Sequence, residues 1–209
     1  MTINMPIKVT PYQHQKNAFQ FTCGNFGLTA PYRIISRGTA LLIEMGLGKT
    51  LIAIAVAGAL EQAGKIRRVL IVAPLSILGV WQEEFEKFAD FDFTLAILTG
   101  STAKKADTLR HMQGSLLQVA VVNYESAWRM EKELLAWDAD LVIADEGHKI
   151  KTHNIAASKT MHKLGAKARY KLLLTGTVIT NKAIDVFSQY KFLNPEIFGQ
   201  SFYVFRNRY

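Results

Sequence analysis

The sequence predicts an α/β domain with a mainly parallel sheet and helices on both faces. Short apolar runs of strand length alternate with longer segments of helical periodicity along the 209 residues. At residues 41–54, one such run passes through a glycine-rich turn into a helical segment rich in Ala, Ile and Leu. Alternating strands and helices imply right-handed crossovers between parallel strands. Ligands then bind where the carboxyl ends of the strands meet, at one edge of the sheet.

Each element is predicted from its own pattern. A first helix opens at Pro11 and runs to Phe21, and four glycines or prolines within residues 24–38 predict a loop. After the strand that begins at residue 41, apolar and β-branched runs predict five more strands: 69–73, 93–98, 118–123, 140–144 and 170–174. Besides the helix that follows the glycine-rich turn, apolar residues at helical spacing predict helices at 76–88, 104–112, 159–168 and 185–193.

The glycine-rich turn is the first candidate site. It consists of Met45, Gly46, Leu47, Gly48, Lys49 and Thr50. The glycines allow consecutive backbone N–H groups to face one anion at the positive end of the next helix. Lys49 could then reach the β- and γ-phosphates of a nucleotide, and Thr50 could offer its hydroxyl to Mg²⁺. The strict phosphate-loop pattern has glycine where this chain has Ile43, so an ordinary glycine turn remains an alternative at this point.

An acidic pair is the second candidate site. Asp145 and Glu146 directly follow an apolar strand, about 95 residues after Thr50. A Mg²⁺–nucleotide site needs one carboxylate on the metal and another that orients or deprotonates water. We therefore assign Asp145 to the metal and Glu146 to the water. Adjacent acids alone are common in loops, but together with the glycine-rich turn they predict an ATPase that uses ATP and Mg²⁺.

Composition limits the class of protein. No apolar run approaches the ~20 residues that a membrane-spanning helix needs, and the first ten residues lack a signal-peptide pattern. The single cysteine, Cys23, suits a reducing compartment as a packed thiol. We expect a soluble, intracellular protein of the cytoplasm, nucleoid or nucleus, without a membrane partner.

The net charge of +8 is concentrated in residues 149–209, which contain eleven lysines and arginines but only two acids. This excess predicts either a nucleic-acid surface or an ordinary solvated lysine face.

Seven sequence blocks, in order, resemble the Swi/Snf-type DNA translocases of helicase superfamily two. They are PYQ (11–13), EMGLGKT (44–50), APLSILGVWQEEFEKF (73–88), VVNYES (121–126), DEGHKIK (145–151), LLLTGTVITN (172–181) and FLNPEIFG (192–199). Three positions depart from the family pattern. Ile43 replaces an aspartate, Gly147 an alanine and Val178 a proline, and none of these changes removes a group that would touch phosphate or metal.

The resemblance implies a RecA-like P-loop fold and double-stranded DNA as partner. It implies one ATP-binding lobe over 1–209, with a Q-motif region at 1–40, a core at 41–199 and the start of an inter-lobe segment at 200–209. From the resemblance, we expect a second RecA-like lobe that this chain does not contain. By the same resemblance Gln13 reads adenine, whose edge a side-chain amide can match. The resemblance further assigns coupling between nucleotide and DNA to His148, Thr175 and Thr177, and DNA-backbone contacts to Ser76 and Lys151.

Two alternatives remain open at this point. One is the motor lobe of a strand-separating DExH helicase or of a restriction system, which would share the glycine-rich turn and the acidic pair. The other is a non-catalytic module whose binding to a partner depends on nucleotide.

Overall fold

The computed structural model describes residues 3–176 and 183–208. Within them, a parallel sheet has the strand order β1-β6-β5-β2-β4-β3. The strands are β1 Gly38–Leu42, β2 Arg68–Ala73, β3 Phe93–Ile97, β4 Leu117–Asn123, β5 Leu141–Asp145 and β6 Tyr170–Thr175. The helices are α1 Gln13–Asn25, α2 Lys49–Gln62, α3 Leu78–Phe88, α4 Thr102–His111, α5 Tyr124–Arg129, α6 Glu131–Trp137, α7 Ala156–Lys167, α8 Val186–Leu193 and α9 Phe202–Arg208. The predicted α/β class with a parallel sheet is confirmed.

Helices cover both faces of the sheet, and this explains why the central strands are apolar throughout. In β5, Leu141 and Ile143 pack beneath α1, α2 and α3, whereas Val142 and Ala144 pack beneath α4 to α8. Since successive side chains of a strand point to opposite faces, a strand covered on both sides needs an unbroken apolar run. The two cores therefore alternate along each central strand.

The predicted boundaries differ from the structure where packing overrides a local signal. Helix α1 continues to Asn25, four residues beyond the predicted end at Phe21, because Thr22 and Cys23 are fully buried against the core. Helices α5, α6 and α9 were not predicted. Each has only six or seven residues, too few for apolar periodicity to be recognised.

Two smaller expectations concern Cys23 and membranes. Burial raises the pKa of the Cys23 thiol to about 12, so this packed group stays protonated at neutral pH. Among the helices of the described residues, none is long and apolar enough to cross a bilayer.

Candidate nucleotide-binding site

The strand order places the two candidate sites next to each other. Strands β1, β6 and β5 are neighbours, and the register pairs Leu42 with Thr175 and Leu174 with Asp145. The loop that leaves β1 and the acidic pair that ends β5 therefore lie at the same edge, one strand apart. Thr175 lies between them at the end of β6 and is fully buried.

The glycine-rich loop takes its shape from two residues with left-handed backbone. Gly46 has φ +80° and Gly48 has φ +87°, values that side chains disfavour. A Cβ added at Gly48 would also overlap Nε2 of Gln15. The loop delivers the chain into α2, whose first residue is Lys49. The first backbone N–H groups of α2, which lack helical partners, therefore lie beside the loop.

Lys49 is a buried cation held by the loop itself. Lys49 is only 9% exposed. Its Nζ donates to the carbonyl oxygens of Ile43 at 2.9 Å and Glu44 at 3.2 Å. Two carbonyl oxygens thus accept hydrogen bonds from the ammonium. A bound phosphate would give the same group a stronger, charge-assisted acceptor.

A cleft of about 290 Å³ lies between this loop, the acidic pair and helix α3. Seven of its lining residues were predicted: Met45, Gly46, Gly48, Lys49, Thr50, Asp145 and Glu146. Four were not predicted as part of the site: Ile77, Val80, Trp81 and Glu84. By helical spacing, Trp81 belongs to the apolar face of α3 and Glu84 to its acidic face, so the sequence alone provided no reason to place either residue in a site. Burial raises the pKa of Glu84, with nearby Glu83 acting in the same direction and Lys87 opposing it.

Asp145 is held at all of its oxygen atoms. Its Oδ1 accepts the backbone N–H of Glu146 at 2.9 Å, and its Oδ2 accepts Nε1–H of Trp81 at 2.9 Å. Its carbonyl oxygen accepts the hydroxyl of Tyr124 at 2.7 Å. The pKa of the Asp145 carboxyl is raised. Burial is the main cause, and it outweighs the two hydrogen bonds and the charge of Lys49, which lower the pKa. The carboxylate is thus oriented before any ligand arrives.

Glu146 lies in a left-handed backbone conformation at φ +50° and contacts His148. The His148 Nδ1 atom lies 3.1 Å from Oε2 of Glu146. His148 was predicted to couple the acidic segment to Thr175 and Thr177. The structure brings it to Glu146, and Thr177 lies outside the described residues.

Gly147 explains one departure from the family pattern. A Cβ built on Gly147 would lie 2.5 Å from Cγ of Leu173 in β6, so glycine lets the acidic segment pack directly on the neighbouring strand.

Helix α1 contacts the loop through a residue that was not predicted. Gln13 is exposed, and its Nε2 donates to Oδ1 of Asn17 at 2.9 Å rather than to the loop. Gln15 is only 7% exposed, and its Nε2 donates to the carbonyl of Leu47 at 3.2 Å. Two residues along a helix turn by about 200°, so Gln13 and Gln15 face opposite ways. The sequence did carry a signal for Gln15. It is the third residue of the helix, where the oxygen of a glutamine side chain can accept the backbone N–H of the residue before the helix, here Tyr12.

Comparison with known proteins assigns the family. The protein-family model described as the SNF2-related domain matches residues 12–209 of this chain. The chain belongs to this family. Among solved structures, the Sulfolobus solfataricus SWI2/SNF2 ATPase core in complex with dsDNA has a TM-score of 0.82 and 27% identity, covering 100% of this chain and 41% of that one.

Curated relatives of this SNF2-related domain are much longer proteins. The DNA repair and recombination protein RAD54 of Oryza sativa subsp. japonica is 33% identical over 211 residues, 95% of this chain and 21% of that protein. The probable ATP-dependent DNA helicase CHR23 of Arabidopsis thaliana is 35% identical over 157 residues, 75% of this chain and 15% of that protein. The chain therefore spans a quarter or less of these two relatives.

The donor set of the SNF2-related site fits magnesium. Asp145 and Thr50 offer oxygen ligands in one cleft, which a hard cation prefers. No group of three or more His, Cys, Asp or Glu residues that could hold a metal occurs in the part of the chain that the structure describes. Mg²⁺ usually takes one or two protein ligands and completes its shell with phosphates and water.

The two predicted DNA contacts lie beyond neighbouring strands of the SNF2-related domain. Ser76 is exposed in the turn Leu75–Ile77 after β2, and Lys151 is half-buried after β5. Several cations of residues 149–209, which the sequence counted as an excess charge, are paired or buried in the structure. Lys163 pairs with Glu131, and Lys167 pairs with Asp138 at 3.1 Å. Lys171 is buried near the amino end of β6, away from the edge that holds the site.

Proposed function

We propose that this SNF2-related domain is the ATP-binding lobe of an ATP-dependent double-stranded DNA translocase. The observation that carries the proposal is that Lys49 and the Asp145–Glu146 pair line one cleft, at the carboxyl ends of β1 and β5 on either side of β6. The glycine-rich turn alone, or the acidic pair alone, would be compatible with other functions. Their placement across a single cleft favours phosphoryl transfer to water.

Each polar residue of the cleft has a separate role in this proposal. Lys49 turns from the loop carbonyls to the β- and γ-phosphates, and the backbone N–H groups at the start of α2 hold the same anion. Asp145 and Thr50 would hold Mg²⁺, which neutralises charge on the phosphates when it is bound. Glu146 accepts a proton from the water that attacks the γ-phosphorus. The bond between the γ-phosphorus and the oxygen that bridges it to the β-phosphate breaks, and ADP leaves with that oxygen.

His148 supports Glu146 in this scheme. Its contact with Oε2 of Glu146 limits the rotation of the carboxylate and keeps it beside the cleft. We propose that motion of the acidic segment, together with Thr175 at the end of β6 and with Thr177, couples the nucleotide to DNA. The close approach of Gly147 to Leu173 supports this, because a shift of one segment must displace the other.

The adenine contact is proposed for Gln13, with Gln15 in a different role. Gln13 lies at the exposed start of α1, where its amide can turn from Asn17 to a base. Gln15 is already occupied by Tyr12 and Leu47, so it shapes the loop instead.

The proposed partner is the sugar–phosphate backbone of duplex DNA. Ser76 and Lys151 would contact phosphates without reading sequence, as a motor that moves along DNA requires. The dsDNA named for the Sulfolobus solfataricus complex supports this choice. Binding should weaken with salt, with log K falling by roughly 0.9 per phosphate neutralised. A strand-separating motor would instead act on forked DNA, which a comparison of translocation and unwinding distinguishes.

The Glu146→Gln variant tests the catalytic part of the proposal. The amide can orient water but cannot take its proton, so hydrolysis should fall by ~10²-fold or more while Mg²⁺–ATP affinity is kept. Asp145→Asn should instead weaken Mg²⁺-dependent binding. Turnover is measured in the longest available form of the protein, and affinity by calorimetry on the 209-residue chain. Unchanged turnover in Glu146→Gln would contradict the role given to Glu146.

A further inference from the structure

Helix α3 brings a buried indole to the acidic side of the cleft. Trp81 is 1% exposed and Asp145 is 6% exposed, and the hydrogen bond from Nε1 to Oδ2 measures 2.9 Å. In such a water-poor setting, a hydrogen bond to a carboxylate is stronger than at a surface. It therefore constrains the carboxylate more than an exposed bond would.

We propose that Trp81 is a positioning residue that orients Asp145 towards the metal of a bound nucleotide. The inference rests on the proposed nucleotide-binding function. A carboxylate oxygen has two acceptor sites, and in Asp145 one on each oxygen is already used, by Trp81 and by the Glu146 N–H. The two bonds fix the rotation of the carboxylate, so its remaining acceptor sites point in set directions. Partners that orient a metal ligand in this way typically change metal affinity by 10–100-fold.

The second buried indole shows that burial alone does not account for this bond. Trp137 is 7% exposed, yet its Nε1 has no hydrogen-bond partner within residues 3–176 and 183–208. The fold thus tolerates an indole N–H without an acceptor. The bond of Trp81 is a particular feature of the cleft rather than a general requirement of buried tryptophan in this chain.

The face of α3 that carries Trp81 also points to the cleft. Trp81 and Glu84 are three residues apart on the helix, which places them on neighbouring positions of one face, and both line the cleft. Phe85 is fully buried and packs beside Phe93 at a ring-centroid distance of 5.1 Å. Helix α3 therefore divides its apolar face between the core and the nucleotide site.

The test compares Trp81→Phe with Trp137→Phe. Both variants keep an aromatic ring and lose an indole N–H, but only the first loses a hydrogen bond. Calorimetry on the 209-residue chain measures the affinity for a non-hydrolysable ATP analogue with Mg²⁺ and with a chelator. We expect Trp81→Phe to lower the gain in affinity that Mg²⁺ provides by about tenfold, with the metal-free affinity within about twofold of the original. Trp137→Phe should leave both values unchanged.

A further variant separates positioning from general loosening of the site. Tyr124→Phe removes the bond to the carbonyl of Asp145 but leaves its carboxylate held, so it should not reduce the effect of Mg²⁺. If Trp81→Phe is too unstable to titrate, the indole N–H signals of the wild-type chain decide. The Trp81 signal, assigned by elimination with Trp128→Phe and Trp137→Phe, should shift more than the other two when Mg²⁺ joins the analogue complex.

The outcomes distinguish this inference from the proposed function. A wild-type chain that does not bind the Mg²⁺ analogue complex would contradict the nucleotide-binding function itself. A wild-type chain that binds with a clear Mg²⁺ effect, together with a Trp81→Phe variant that keeps that effect, would overturn only the role of Trp81. A Trp81 signal that does not move on addition of Mg²⁺ would overturn it equally.

Discussion

The side-chain amide of Gln15 donates to the carbonyl oxygen of Leu47 across 3.2 Å, so helix α1 is tied directly to the phosphate loop. Nε2 of His14 lies 3.0 Å from the same oxygen. Oε1 of Gln15 accepts the backbone N–H of Tyr12 at 2.9 Å, which fixes the amide from its other end. The start of α1 and the loop therefore form one unit, although they are 32 residues apart in the sequence.

Substitution of Gln15 and Gln13 should have different effects on nucleotide choice. Gln15→Ala loosens the loop and should weaken ATP and GTP alike, by about 2- to 10-fold, the range for one hydrogen bond. Gln13→Ala should weaken ATP but not GTP, because its proposed partner is the adenine edge. Competition titrations with both nucleotides measure this. If Gln15→Ala changed the ATP-to-GTP preference and Gln13→Ala did not, the two roles would have to be exchanged.

The 209-residue chain should bind ATP but hydrolyse it very slowly, with little stimulation by duplex DNA. Lys49 is the one cation among the described residues that line the cleft. Phosphoryl transfer relies on charge stabilisation, and an arginine that reaches the transition state contributes ~10³ to 10⁵ in rate. We propose that the second RecA-like lobe supplies such a group. Steady-state ATPase assays with and without duplex DNA measure this, and rapid DNA-stimulated turnover by this chain would contradict it.

The glycine-rich turn and the acidic pair predicted most of the candidate site. Their chemistry depends on backbone geometry and strand order, and both can be inferred from the sequence. The glycine-rich turn predicted the loop, and the parallel sheet then required Asp145 to end near it. Trp81 and Glu84 line the cleft and Gln15 contacts the loop, and none of them was predicted. The packing of α3 and α1 in the tertiary fold decides which of their side chains face the site. Apolar spacing predicted that α3 packs on the sheet but could not show that one end of its apolar face reaches the cleft.

The excess of positive charge in residues 149–209 predicted less of the structure than the motifs did. A count along residues 149–209 treats each cation as free, whereas Lys163 and Lys167 pair with acids of α6 and the residue after it. Lys171 is 7% exposed. These partners and this burial arise only when the chain folds, so the sequence could not reveal them.

Replacing Lys171 with Met should stabilise the fold at neutral pH. Burial, together with nearby Arg37, lowers the pKa of Lys171 to about 8 from 10.5. A lowered amine pKa means that protonation opposes folding, fully below pH 8 and progressively less up to pH 10.5. Lys171→Met should therefore raise the free energy of unfolding by about 2–3 kcal/mol at pH 7. Urea denaturation between pH 7 and 10.5 measures this gain.

The control for this change is Lys65→Met, at an exposed position after α2. It should alter the unfolding free energy little at any pH in this range. A gain from Lys171→Met that did not shrink as the pH rose would show that packing, rather than the buried charge, is the cause.

In the proposed function, Lys49 and the acidic pair bind one Mg²⁺–ATP. Calorimetric titration of the 209-residue chain with a non-hydrolysable Mg²⁺–ATP analogue tests it most directly. We predict one site in the wild-type chain, no detectable binding in Lys49→Ala, and wild-type affinity in the matched control Lys132→Ala, which removes an exposed lysine outside the cleft. Equal affinity in the wild-type chain and the folded Lys49→Ala variant would contradict the account.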